Sequence, residues 1–405
     1  MLKNTQRLLR KILHFLHQCI ERFWVHPLEV KIIPRLESGR ETPFRISALK
    51  FASWLANLGR LIILNFRVKV VRWIGSDWSV TYIGDGTSIE YLSTILFSDP
   101  PRVEELPRIY FWQIPALVRR FSGGGDLVLC ELNEILKWSP KILKINFVTP
   151  PWIKQVLESI DRPIEDLLAS MNRSTRRHIN RLEKQRFTYS LTQKKEDFDF
   201  FYYRIYLPTI KLRHEGQGMI INDYESIQKD FMSGGLGLIK DGHEDPICGG
   251  LFCLDGDTFT AQLGGVLDGE AALVKKRVNL ALFWYELNLA RTLGAQKYDF
   301  GSTRAQISNG AFEYKRQMGT CVYPHKFVYT QWNFYAQRLT GKLREHLNKL
   351  GLITRQDGKF YRIILDGSTE NLRSKEIQEE CCFASKCGLE GLILLSDQGD
   401  KQVVS

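Results

Sequence analysis

The stretch that decides the fold is residues 271–319, which read AALVKKRVNLALFWYELNLARTLGAQKYDFGSTRAQISNGAFEYKRQMG. From Val274 to Leu293, apolar residues recur every three or four positions, which is the repeat of an amphipathic helix. Gly294 suits the end of that helix, and Lys297 to Phe300 has the composition of a short strand. The stretch therefore predicts a long helix followed by a strand.

The start of the predicted helix is unusually basic. Lys275, Lys276 and Arg277 fall in its first turns, where the macrodipole disfavours positive charge. An anion that shares the site would resolve this conflict, and phosphate groups commonly bind at helix N-termini. The alternative is that the three long side chains extend into water.

Polar residues follow the predicted strand. Gly301 permits a tight turn, so Asp299, Ser302 and Arg304 are expected to gather at one strand end. Strand ends beside helix termini are the usual place for chemistry in α/β sheets.

The motif from Asp299 to Arg304, followed by Phe312 to Gly319, resembles the C-terminal signature of FemAB-like proteins. It is also similar to the cellulose-biosynthesis type acyltransferases of the GNAT superfamily, where an Asp-aromatic-Gly segment leads to an aromatic-Lys pair, here Tyr314-Lys315. The resemblance implies an α/β (α+β) fold in which a mixed, mostly antiparallel sheet is flanked by helices. It also implies two tandem GNAT-like units.

Both co-substrates of the resembling families stay open. In the GNAT core an antiparallel meander precedes the helix whose N-terminus receives the pyrophosphate of acyl-CoA, and residues 235–265 predict such a meander. The usual Arg/Gln-x-x-Gly-x-Gly/Ala loop is absent, because residues 267–273 read LDGEAAL. FemAB-like enzymes also lack that loop and use aminoacyl-tRNA.

The chain divides into four predicted parts. Residues 1–44 form a basic amphipathic segment, 45–150 a degenerate GNAT-like domain, 151–335 the acyltransferase domain and 336–405 a helix with a small α/β tail. Pro150-Pro151 marks the main boundary, because two prolines interrupt helix and strand alike. Residues 332–350 are expected to form one helix.

Charge and composition indicate the class of partner. A net charge of +11 favours an anionic donor or acceptor, such as a nucleotide, a phosphate or RNA. Residues 1–24 predict a basic helix that lies either on an anionic membrane surface or on the protein itself. No segment predicts a transmembrane span or a zinc site, and scattered reduced cysteines indicate the cytoplasm, with peripheral contact at the inner membrane face as one option.

Two further groups are candidate substrate ligands. A predicted helix begins at Thr175 with Ser174 as its cap, and Arg177, Arg181 and Lys184 share one of its faces. Together with Arg173, just before the helix, Arg177 and Arg181 suit phosphate contacts, although a solvated surface helix has the same pattern. Arg213 and His214 follow an aromatic-rich helix. Because a histidine of ordinary pKa titrates near neutral pH, His214 is a candidate base, unless it is an incidental loop residue.

The resemblance implies an N-acyltransferase that moves an acyl or aminoacyl group to an amine or hydroxyl of a sugar- or peptide-containing acceptor, in cell-envelope or polysaccharide synthesis. In this hypothesis Lys315 and Arg304 stabilise negative charge, Asp299 orients Lys315 or accepts the amine proton, and Tyr314 protonates the leaving group. Lys275, Lys276, Arg277, Ser302 and Arg304 are the candidate cofactor ligands. The alternative is a non-catalytic GNAT-like module whose basic surface holds RNA, a nucleotide-sugar or a membrane.

Overall fold

The computed structural model describes residues 67–404, apart from 125–126, 134–142, 183–184, 186, 215–222, 243–244, 326–329 and 367–373. The predicted basic helix of residues 1–24, and the whole segment 1–44, lie outside the described residues.

The first sheet has six strands in the order β3-β1-β2-β4-β13-β5, and only the β2–β4 pair is parallel. Its core is aromatic, with Trp73, Tyr82 and Trp332 almost fully buried. The elements of this part are β1 (Arg67–Ile74), β2 (Ser79–Gly84), α1 (Ile89–Leu96), β3 (Arg102–Tyr110), α2 (Ile114–Phe121), β4 (Leu127–Asn133), β5 (Ile145–Thr149) and, much later in the chain, β13 (Thr330–Ala336).

The second sheet has seven strands in the order β12-β6-β11-β10-β9-β8-β7. Only β10 and β11 run parallel, and the helices α8 and α9 connect them. Its elements are β6 (Trp152–Leu157), α3 (Ile164–Ser170), α4 (Arg173–Leu182), β7 (Thr188–Thr192), α5 (Lys195–Phe200), a π-helical segment (Phe201–Tyr206), α6 (Leu207–His214), α7 (Tyr224–Ser233), β8 (Gly235–Lys240), β9 (Cys248–Asp255), β10 (Thr258–Val266), α8 (Ala271–Lys275), α9 (Val278–Thr292), β11 (Lys297–Arg304), α10 (Gly310–Arg316) and β12 (Cys321–Pro324).

The third sheet has four strands in the order β14-β15-β16-β17. Alternate residues of β15 and β16 pack in opposite directions. Ile363 and Leu395 join the core of the first sheet, whereas Ile364 and Leu394 pack with Phe312 of α10. The elements are α11 (Gly341–Leu350), β14 (Ile353–Gln356), β15 (Lys359–Asp366), α12 (Ser374–Lys386), β16 (Gly391–Ser396) and β17 (Lys401–Val404).

The predicted helix over residues 332–350 is wrong in its first half. Residues 330–336 form strand β13, which lies between β4 and β5 of the first sheet, and the helix α11 begins only at Gly341. Trp332 and Phe334 face one core and Tyr335 faces another, so the strand is buried on both sides. The chain thus returns to the first sheet at Thr330, although the sequence predicted that the second domain extends to residue 335.

The predicted fold class is confirmed, because the structure is a mixed α/β protein with mostly antiparallel sheets flanked by helices. The division into two tandem GNAT-like units stays a prediction. Across the described ranges, no helix combines the length and the apolar character that crossing a membrane requires.

Candidate functional site

The two parallel strands of the second sheet pair over only three residues each. β10 and β11 are paired from Thr258 to Thr260 against Lys297 to Asp299, and we call the unpaired stretch between the two strands beyond that point the gap. The predicted tight turn at Gly301 is wrong, because β11 continues to Arg304. Gly301 instead has φ +73° where the register between β11 and β6 shifts. Asp299 is therefore the last residue of β11 that pairs with β10, and we call this point the apex of the gap.

A buried ion pair lies at the apex. Asp299 is 3% exposed, and its Oδ2 lies 2.5 Å from Nζ of Lys154, which comes from the neighbouring strand β6. The other carboxylate oxygen, Oδ1, accepts a hydrogen bond of 2.8 Å from the Gly301 N–H. The Lys154 side chain keeps 19% of its surface exposed, so the pair connects the buried apex with solvent.

Lys315 reaches the same region from helix α10. Its ammonium group donates to the carbonyl oxygens of Gly301 at 3.2 Å and Ser302 at 2.9 Å. Burial lowers the Lys315 pKa to about 8, and the nearby Asp299 charge opposes that decrease. Lys315 thus remains mostly protonated at pH 7, but it is much closer to titration than an ordinary lysine.

His325, which directly follows β12, is also near the ion pair. Burial lowers its pKa to about 4, and the Lys154 charge acts in the same direction. The imidazole is therefore neutral at pH 7.

A second polar group lies on the side of the sheet that α9 covers. Glu286 of α9 is 2% exposed and accepts a 2.6 Å hydrogen bond from the Tyr298 hydroxyl. Burial raises the Glu286 pKa to about 7. Burial also raises the pKa of Tyr314 in α10, and the charges of Cys248 and Glu286 add to that effect. Tyr314 therefore lies near Glu286.

The start of the long helix differs from the prediction. Arg277 has the left-handed conformation (φ +61°), which divides the helix into α8, ending at Lys275, and α9, beginning at Val278. Lys275 and Lys276 therefore lie at the C-terminal end of α8, where the macrodipole favours cations. Lys276 forms an ion pair with Asp241, and Arg277 lies near Tyr314, whose pKa its charge lowers.

Arg304 lies elsewhere. Its guanidinium carbon is 3.8 Å from the ring centre of Trp152 and 4.0 Å from that of Tyr91 in helix α1. Burial lowers the Arg304 pKa to about 10. The predicted gathering of Asp299, Ser302 and Arg304 is thus only partly found: Ser302 offers its backbone carbonyl to Lys315, whereas Arg304 joins the first and second sheets.

The predicted substrate arginines form an exposed row. Arg173, Arg177 and Arg181 all face solvent on α4, while Ile179 and Leu182 turn the opposite face toward the core that α9 shares. Arg213 and His214 end α6, but their side chains lie outside the described residues.

Sequence reasoning missed Lys154, His325 and Glu286. Two of them carried a signal: Lys154 interrupts an apolar strand pattern, and Glu286 is the one acid within the apolar run ALFWYELNLA. His325 carried none, because only the fold brings the end of β12 beside β6. Within the ranges described here, His, Cys, Asp and Glu side chains do not come together in threes as a metal site would require.

No protein-family model matches the chain, and no curated protein matches its sequence. Among solved structures, FemX is similar at 13% identity and a TM-score of 0.37, over 69% of this chain and 90% of FemX. L-PGS from Bacillus licheniformis is similar at 11% identity and a TM-score of 0.33, over 79% of this chain and 99% of that one. A GCN5-related N-acetyltransferase from Kribbella flavida is similar at 15% identity and a TM-score of 0.25, over 71% of this chain and 95% of that one.

The resemblance to FemAB-like proteins of the GNAT superfamily rests on the sequence motifs. With TM-scores below 0.5 the similarities carry no argument about activity, which has to come from the residues of this chain.

Proposed function

We propose that this protein is an acyltransferase that moves an acyl or aminoacyl group from an activated donor to an amine. One observation carries the proposal: Asp299, Lys154 and Lys315 place one carboxylate and two ammonium groups at the apex of the gap between β10 and β11. Acyl transfer requires a group that accepts the proton of the nucleophile and a donor for the oxyanion.

Lys315 suits the role of oxyanion donor. An ammonium group has three N–H bonds, and in the described structure two of them are used by the Gly301 and Ser302 carbonyls. The third is left for substrate. Because those two carbonyls fix the ammonium group, it needs little reorganisation when charge develops on the substrate oxygen.

The proton balance assigns the other roles. The amine nitrogen attacks the donor carbonyl, the new C–N bond forms, and the C–S or C–O bond to the leaving group breaks. Asp299 accepts the proton that the amine loses, and Tyr314 supplies one to the departing thiolate or alkoxide. One proton is lost and one is gained, so no other reactant is needed.

Phosphate groups of the donor have two candidate contacts. Arg277 precedes the N-terminus of α9, and the exposed row Arg173, Arg177 and Arg181 lies on α4, which packs against α9. Both arrangements suit acyl-CoA and aminoacyl-tRNA. An amine on a sugar or peptide precursor of the cell envelope is the proposed acceptor, and the cytoplasm or the inner membrane face is the proposed location.

The test combines donors with variants. The purified protein is incubated with acetyl-CoA, longer acyl-CoAs or aminoacyl-tRNA and with an aminosugar or peptide acceptor, and the amide product is measured. Lys315→Ala and Asp299→Asn should each lower turnover about a hundredfold or more. The matched control is Lys349→Ala, which replaces an exposed lysine of α11 and should be neutral.

Circular dichroism of both variants establishes that the fold is intact. Undiminished turnover in the two folded variants would refute the assignment of Asp299 and Lys315.

The exposed arginine row favours a second candidate, in which the protein only binds an anionic polymer. If so, no donor gives product with the wild type, and RNA binding is lost when Arg173, Arg177 and Arg181 are replaced by glutamine. Product formation from any donor would favour the acyltransferase over the binding protein.

A further inference from the structure

Three glycines form a row without side chains across the second sheet. Gly237 of β8, Gly250 of β9 and Gly264 of β10 are direct partners in the antiparallel register. Direct partners present their side-chain positions on the same face of a sheet. That face is the one covered by α9, because a Cβ at Gly250 would lie 3.0 Å from Leu282 of α9.

Polar atoms approach two glycines of this row, Gly250 and Gly237, so closely that a side chain at either position would force its neighbours to move. A Cβ at Gly250 would lie 2.9 Å from Oε1 of Glu286, and one at Gly237 would lie 2.5 Å from the Tyr189 hydroxyl. Glu286 Oε1, the Tyr189 hydroxyl and the Tyr314 hydroxyl are all buried, and none has a hydrogen-bond partner among the described residues. Buried polar atoms nearly always have partners, so three in one group need an explanation.

The row leads to the surface. Gly264 is exposed, and a Cβ there would meet only the Gly249 carbonyl oxygen, at 3.5 Å. Gly264 also lies beyond the part of β10 that pairs with β11, so it borders the gap that holds the proposed catalytic groups. A substrate in the gap lies beside β10. Glu286 Oε1, against Gly250, is therefore one strand away from it, and the Tyr189 hydroxyl, against Gly237, is two strands away.

The chemistry of these atoms selects the ligand. An anion would be repelled by the Glu286 carboxylate, and an apolar group would leave three buried polar atoms without partners. A primary ammonium group has three donors for three oxygen acceptors and a charge opposite to that of Glu286. We propose that a primary ammonium group of a substrate binds in a subsite formed by Glu286, Tyr189 and Tyr314. Gly250 and Gly237 lie beneath this subsite and leave room for the ligand.

This inference rests on the proposed transfer reaction, because it assigns the amine to one of the two substrates. The ammonium group belongs either to the transferred group, as the α-amino group of an aminoacyl donor, or to the acceptor before it loses its proton. Paired probes that differ only in the amine separate these two sources.

The experiment measures binding to the full-length protein by titration calorimetry. L-alaninamide and propionamide form the donor-side pair, and glucosamine and glucose form the acceptor-side pair. We expect the amine of one pair to bind at least tenfold more tightly than its neutral partner, as a charge-assisted hydrogen bond implies. Glu286→Gln should abolish that preference, whereas Glu225→Gln, at an exposed position on α7, should preserve it.

Equal binding within both pairs would overturn the subsite, as would a preference that survives in Glu286→Gln. If Glu286→Gln does not fold, Tyr189→Phe replaces it, because the Tyr189 hydroxyl has no partner in the described structure whose loss would cost stability. A preference retained in full by Tyr189→Phe overturns the subsite as well.

The transfer assay separates this inference from the proposed function. Amide formation without amine preference refutes only the subsite, and amine preference without amide formation with any donor refutes only the enzyme.

Discussion

Replacing Lys315 with methionine tests whether the site holds a buried, destabilised charge. The folded-state pKa of Lys315 is about 8, compared with an ordinary value of 10.5. Between these values the unfolded chain binds more protons than the folded protein, so the free energy of unfolding of the wild type rises with pH. The whole difference corresponds to about 3 kcal/mol, of which about 2 kcal/mol develops between pH 7 and pH 10.

Methionine has a similar length and no charge, so the variant lacks this term. We therefore expect the free energy of unfolding of the wild type, minus that of Lys315→Met, to increase by about 2 kcal/mol from pH 7 to pH 10. Urea unfolding followed by tryptophan fluorescence measures this difference, in which titrating groups that do not interact with Lys315 cancel. Lys349→Met, on the exposed face of α11, is the matched control and should follow the wild type.

A difference that stays constant from pH 7 to pH 10, or that decreases, would refute the claim that burial depresses the Lys315 pKa. The ammonium group of Lys315 would then not be held in a buried position by the Gly301 and Ser302 carbonyls.

Three further predictions concern Lys315, Arg304 and Gly388, a residue between α12 and β16. The kcat/KM of the wild type should fall about tenfold per pH unit above pH 8, as Lys315 with its pKa of about 8 loses its charge; a flat profile up to pH 10 contradicts its role as the oxyanion donor. Arg304→Met should lower the thermal unfolding midpoint, because the stacking of Arg304 on Trp152 and Tyr91 contributes about 2 kcal/mol. The same variant should keep kcat/KM within about threefold of the wild type. A large rise in the KM for the donor would instead show that Arg304 belongs to the site. Gly388→Ala should destabilise the protein by more than about 1 kcal/mol in chemical denaturation, since its Cβ would lie 2.4 Å from the Thr320 carbonyl oxygen at φ +73°, and unchanged stability would show that this turn can shift.

Local sequence patterns predicted the parts of the site that lie on one continuous stretch. Asp299 was recognised because it ends a short predicted strand after the apolar helix, and Lys315 because the stretch resembles the Asp-aromatic-Gly and aromatic-Lys signature of FemAB-like proteins. The exposed arginine row on α4 followed from helical spacing in the same way. These predictions need no knowledge of how distant segments pair.

What the sequence could not provide was long-range pairing. Lys154 and Asp299 are 145 positions apart, and only the antiparallel register of β6 and β11 brings them together. Arg304 was assigned to the site because a strand end was expected at Gly301, whereas the strand continues and carries Arg304 to the rings of Trp152 in β6 and Tyr91 in α1. The aromatic run at Trp332 fitted a helix equally well, since residues buried on both faces of a strand show no alternation.

The position of β13 has a consequence for how the protein is made. A ribosome that has released residues 67–149 has delivered five strands of the first sheet, but the place between β4 and β5 remains empty until residue 336 emerges. The nascent chain must keep those two strand edges from pairing with other chains while the whole second sheet is being synthesised. We therefore expect the growing polypeptide to depend on chaperones over that interval, and the final closure of the first sheet to be a late, slow step in its maturation.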